Sequence, residues 1–81
     1  MRHTIYRFRV FVGPTAVEYM ADRARVAGFT NVFEGTEHVH ASVLAPTCET
    51  ETDRLCLRQT IGDRLYGAPM IAAWRQVDLL S

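Results

Sequence analysis

Five residues of this 81-residue chain have types and spacings that could do chemistry. Arg7 and Arg9 stand two apart, as do His38 and His40, and Trp74 is the single tryptophan. On an extended strand, residues two apart share a face, so each pair would present its side chains in one direction. Paired guanidinium groups suit an anion through charge-assisted hydrogen bonds. An indole with arginine alongside suits a stacked base. His38 and His40 could supply two metal ligands, but His3, Glu37 and the cysteines are poorly placed for a third, so no bound metal and no cofactor is expected. As surface imidazoles the pair would make the face sensitive to pH near neutrality.

Catalysis finds less support. No Ser, Cys or Thr sits in a nucleophile motif, and there is no Gly-rich phosphate loop. Glu49, Glu51 and Asp53 alternate with threonine, which suits the start of a helix, where acidic groups favour the dipole. The chain therefore reads as non-enzymatic. Cys48 and Cys56 are the only cysteines. On one helix they would lie roughly 12 Å apart, too far for a bridge, and they read as small core residues.

Composition sets the bounds. A chain of 81 residues with formal charge of zero and an ordinary apolar share reads as one domain, residues 1–81, with a thin core that self-association would help. Neutral charge argues against a general nucleic-acid binder. No apolar run is long enough for a membrane span, and the N-terminus enters a strand without a signal-peptide core, so a cytoplasmic location is expected. All nine basic residues are arginine. With abundant Ala and Val, this reads as the codon bias of a GC-rich genome, a bacterium's or that of a phage infecting one.

Six elements must position these residues. Thr4 to Val12 alternates, with Tyr6, Phe8, Val10 and Val12 facing the core and Ile5, Arg7, Arg9 and Phe11 opposite. A helix is predicted from Gly13-Pro14, with Val17, Met20, Ala21, Ala24 and Ala27 in one stripe and Gly28 as its end. Tyr19, Arg23 and Val26 make its outer line. Phe29–Glu34 and Glu37–Leu44 read as strands around a Gly35-Thr36 turn, and Ala45-Pro46 is expected to break the pairing. In the second of these strands Val39, Ala41 and Val43 face the core, with His38, His40 and Ser42 opposite. Thr47 or Thr50 would cap a second helix running to about Tyr66 and closing at Gly67. That helix carries two apolar lines, Leu57-Ile61-Leu65 and Cys48-Leu55-Tyr66. Pro69–Leu79 reads as the last strand, with Ile71, Ala73, Val77 and Leu79 inward and Trp74 and Gln76 outward.

This β-α-β-β-α-β order, with its Gly-terminated first helix, resembles the ferredoxin-like fold. The resemblance spans the chain and implies an α+β domain: a four-stranded antiparallel sheet in the order 4-1-3-2, with two helices on one face. The first half, Tyr6-Arg7-Phe8-Arg9-Val10-Phe11-Val12-Gly13 and then a helix ending Ala27-Gly28-Phe29, also resembles SPOR-type peptidoglycan-binding domains. The strand followed by Gly-Pro-Phe typical of that family is absent after His40. The RNA-recognition motif shares the topology, but here its aromatic strand-three signature is replaced by Glu37-His38-Val39-His40-Ala41-Ser42-Val43.

With helices on one side, Arg7, Arg9, His38, His40 and Trp74 are expected to gather on the open side of the sheet. The leading expectation is a small self-associating or accessory interaction protein, phage-encoded on grounds of size and base composition. It would act as a homo-oligomer or with a host or cellular protein partner, through that face, the second apolar line of the second helix or an open sheet edge. A module for single-stranded nucleic acid or a small anionic ligand on the same face is the second reading. Glycan binding of the SPOR kind is the third.

Overall fold

The computed structural model describes residues 1–67 and 73–80. The element order is β1 (His3–Phe11), α1 (Val17–Val26), β2 (Thr30–Glu34), β3 (His38–Pro46), α2 (Glu51–Tyr66), a short 3-10 helix (Ala73–Gln76) and β4 (Val77–Leu79). The four strands are antiparallel and lie in the order β2-β3-β1-β4, the α+β, βαββαβ topology of a ferredoxin-like sheet.

Alternation along β1 works as its sequence implies. Tyr6, Phe8 and Val10 are buried, while Ile5, Arg7, Arg9 and Phe11 are exposed. Val39, Ala41 and Val43 of β3 join them opposite Val10, Phe8 and Tyr6. From the helices come Val17, Met20, Ala21 and Ala24 of α1 and Leu57, Ile61 and Leu65 of α2. Small side chains on α1 let that helix approach the sheet closely. The Phe8 and Phe29 rings meet edge to face at 5.0 Å, a favoured aromatic arrangement.

Side chains also tie the helices to their surroundings. Tyr6 carries its hydroxyl to the backbone N–H of Cys48, 2.7 Å away, fixing the segment that leads into α2. Arg23 of α1 donates from Nε to the Leu65 carbonyl at 2.9 Å, so the outer line of α1 is partly a bridge to α2. Arg64 donates to the Ala27 carbonyl and lays its guanidinium 4.3 Å from the Phe29 ring centre. Thr50 caps α2 in a full capping box with Asp53, and Gly67 closes it at φ 74°, where a Cβ would be strained.

Several boundaries differ from the sequence reading, each for a local reason. α1 starts at Val17 rather than at Gly13-Pro14, because Gly13 takes φ 79° and a turn intervenes, with the Ala16 N–H facing the Gly13 carbonyl. Ala45-Pro46 does not break β3; both residues pair with β1, opposite Thr4 and His3. The Thr47 N–H donates to the Arg2 carbonyl, so antiparallel alternation turns the Pro46 nitrogen away from β1. On that other side the pairing of β2 stops at Ser42, so the missing N–H deprives no strand partner.

The last strand departs from the expected one. Among the described residues Val77–Leu79 pairs with β1, and Ala73–Gln76 is a 3-10 helix rather than strand. Residues 69–72 of the expected strand, Ile71 among them, lie outside the described residues. The second apolar line of α2 does not form either. Cys48 precedes the helix and, with Tyr66, packs partly against the core, whereas Leu55 is exposed. Cys56 is exposed and not a core residue.

Candidate functional site

β1 and β3 lie at the centre of the sheet, and their register fixes which side chains meet on its open side. Ile5 stands opposite Leu44, Arg7 opposite Ser42, Arg9 opposite His40 and Phe11 opposite His38. On β4, Asp78 stands opposite Arg9 and draws its carboxylate to within 3.3 Å of Arg9 Nε. Arg7, Arg9, His38 and His40 thus do converge on one surface.

Trp74 does not join them. It belongs to the 3-10 helix, and its ring lies under the guanidinium of Arg58, 5.0 Å from the ring centre, with Arg75 at 5.6 Å. Arg58 projects from α2 and also donates from Nε to the Val77 carbonyl at 2.7 Å. The indole is thereby part of the junction between α2 and β4. The expected placement rested on an alternation that a 3-10 helix does not have.

The face instead gains residues that sequence reasoning did not assign to it. β2 pairs Thr30 with Ser42 and Phe33 with His40, so three steps on β2 match two on β3. The irregularity contains Asn31 at φ 52°, a left-handed conformation that asparagine tolerates better than most residues. The extra residue changes the phase of the strand and brings Phe33 to the open side. There its ring meets His40 edge to face at 5.8 Å, and across the sheet Phe11 meets His38 in the same way at 5.4 Å. The two imidazoles are 6.3 Å apart, so four rings form a continuous row. Gly35 makes room for it: a Cβ there would lie 3.0 Å from the His38 carbonyl oxygen and 3.5 Å from His40 Nε2.

Large apolar side chains remain in solvent on this side. Ile5, Phe33 and Leu44 are each close to two-thirds exposed and Phe11 nearly half. An asparagine inside a run of strand formers was the signal for the shifted phase.

The electrostatics of the face are positive. Among the described residues Asp78 is its one carboxylate, and Arg7 has no carboxylate partner. Two acidic residues flank the row in sequence: Glu34 pairs in register with the core residue Val39 and reaches Arg25 of α1 at 3.7 Å, and Glu37 lies one step before His38, its carbonyl accepting from the Val12 and Gly13 N–H groups. The pKa of His40 is lowered by partial desolvation and then by the charges of His38, Arg9 and Arg7. Its neutral form is favoured, and the field that disfavours the proton is one that would favour an anion.

Next to the Ile5–Leu44 end, a groove of about 640 Å³ runs between the end of β3 and α2, lined by Leu44, Cys48, Cys56, Leu57 and Arg64 among others. Among the described residues no three His, Cys, Asp or Glu side chains are grouped to hold a metal ion. No helix there is long and apolar enough to cross a membrane.

No family model, no curated protein and no solved structure matches this chain. The SPOR resemblance of the first half therefore stays one of sequence pattern.

Proposed function

We propose that this protein is a small non-enzymatic binding module that engages its partner across the open face of its sheet. The observation that carries this reading is the group Ile5, Phe11, Phe33 and Leu44, exposed together on one face around Arg7 and Arg9. Scattered apolar surface residues are ordinary, but a cluster of large ones ringed by polar groups marks an interaction surface. Arginine and aromatic residues are the side chains on which binding energy concentrates. The core is complete without these four, since buried side chains from β1, β3, α1 and α2 already fill it.

The test is the variant Ile5→Ser/Phe33→Ser/Leu44→Ser. Its thermal unfolding should stay close to that of the parent, because the replaced side chains are solvated in the fold. Association is read by light scattering over a concentration series and by anisotropy with a labelled single-stranded oligonucleotide. Parental association by either route, lost in the variant, supports the reading. A parent that associates by neither, or a variant that associates like the parent, would overturn it.

A further inference from the structure

The chemistry of the face narrows its partner. A second copy docking symmetrically through the same face would bring two surfaces of the same positive sign together, since a twofold interface uses the same patch twice. Like charges across an interface disfavour it. The one carboxylate on the face among the described residues, Asp78, is already engaged by Arg9. An anionic partner removes this difficulty, and the rings narrow it further. Phe11, His38, His40 and Phe33 form a row across β1, β3 and β2, each phenylalanine meeting its histidine edge to face and the two imidazoles tilted to each other rather than stacked. Aromatic surface of this kind takes flat heterocycles. Arg7 and Arg9 stand beside the row, two residues apart on one strand, hence about 7 Å apart along it, a separation suited to successive phosphates of an extended chain.

Resting on the reading of the open face as a binding surface, we infer that its ligand is single-stranded nucleic acid, with bases stacked on Phe11 and Phe33 and phosphates held by Arg7 and by Arg9, whose contact with Asp78 runs through Nε. Stacking on aromatic side chains with a basic track for the backbone is the general means by which proteins hold unpaired strands. The overall neutrality of the chain does not oppose it. The acidic residues Glu18, Asp22, Glu49, Glu51, Asp53 and Asp63 belong to the helices or to the segment leading into α2, not to the sheet face.

The experiment is fluorescence anisotropy with labelled oligothymidylate and oligouridylate of about 15 nucleotides, long enough for a face of this size, with duplex DNA as a third arm. Two phosphate contacts on a single strand give a slope of log K against log salt of about −1.4, falling to about −0.7 in Arg7→Ala. Phe11→Ala and Phe33→Ala should each weaken binding by about 5- to 150-fold with the slope retained. Duplex should bind less well than either single strand.

Absence of binding by both single strands at up to about 1 mM protein overturns the inference, as does duplex binding equal to theirs, or affinities unmoved by the phenylalanine variants. If the oligonucleotides fail while the parent self-associates and the Ile5→Ser/Phe33→Ser/Leu44→Ser variant does not, the nucleic-acid inference falls and the binding face stands.

Discussion

Replacing Arg58 by methionine keeps the aliphatic stem and removes the guanidinium, which makes two contacts at once. Its Nε donates to the Val77 carbonyl at 2.7 Å, and its plane covers the Trp74 ring at 5.0 Å. A hydrogen bond from a charged donor contributes about 1.5–3 kcal/mol. A cation over a partly exposed ring adds about 0.5–1 kcal/mol. Val77 is fully buried, so its carbonyl would have little access to a replacement partner. The loss of about 2–4 kcal/mol compares with a total stability of about 4–12 kcal/mol for a chain of this length. At about 4–8 °C per kcal/mol, the melting temperature should fall by about 8–32 °C. Circular dichroism gives the melting curve. Emission from Trp74, the single tryptophan, should change because the ring loses its cover. Arg75→Met, which removes only the more distant cation at 5.6 Å, should cost much less. A melting temperature lowered by no more than about 3 °C would mean a loss below 1 kcal/mol, and Arg58 would not be what fastens β4 to α2.

Three more outcomes follow from the same geometry. Asn31→Val places a β-branched residue at φ 52° and should destabilise by about 1–2 kcal/mol, whereas Asn31→Gly should be close to neutral; equal effects in thermal melts would remove the bulge as a conformational requirement. Thr50→Ala opens the capping box of α2 and should reduce stability by about 1 kcal/mol, which urea titration would register as a lower midpoint at unchanged slope. His40 gives opposite pH trends for stability and binding. Its pKa is lowered from 6.5, first by desolvation and then by His38, Arg9 and Arg7, with Phe33 against its ring and Asp78 held by Arg9. The unfolded chain therefore takes up the proton first. The stability held above pH 6.5 is lost as pH falls through the lowered pKa, while oligonucleotide affinity rises because protonated His40 adds a positive charge. His40→Gln should flatten both trends, and affinity that is level between pH 7.5 and 5 in the parent would exclude His40 from ligand contact.

Most of the fold was legible because local signals and tertiary needs agreed. Tyr6, Phe8 and Val10 alternate at the strand period and are buried. Val17, Met20, Ala21 and Ala24 recur at the helical period and are buried too. Thr50 and Gly67 cap α2 where their chemistry says they should. The misreadings fall where one residue served two readings. Pro46 looked like a strand breaker, yet its nitrogen faces a side of β3 where β2 has already stopped pairing. Whether proline breaks a ladder depends on which neighbour is absent, and a single strand's sequence does not hold that information.

The open face of the sheet divides in the same way. Arg7, Arg9, His38 and His40 were found because strict alternation on β1 and β3 carries each pair to one side, and the antiparallel register then brings the pairs together. Trp74 was misplaced by carrying that alternation into a segment that is a 3-10 helix, where side-chain direction repeats every three residues. Phe33 escaped for the converse reason. Counted by twos from Thr30 it falls on the core side, and only the extra residue around Asn31 returns it to the open side, beside His40. A bulge at this place aims one aromatic ring without altering the strand order. A regular strand would have left the imidazole row without its outer ring and turned Phe33 toward the helices. The irregularity in β2 thus builds the face that the regular strands only outline.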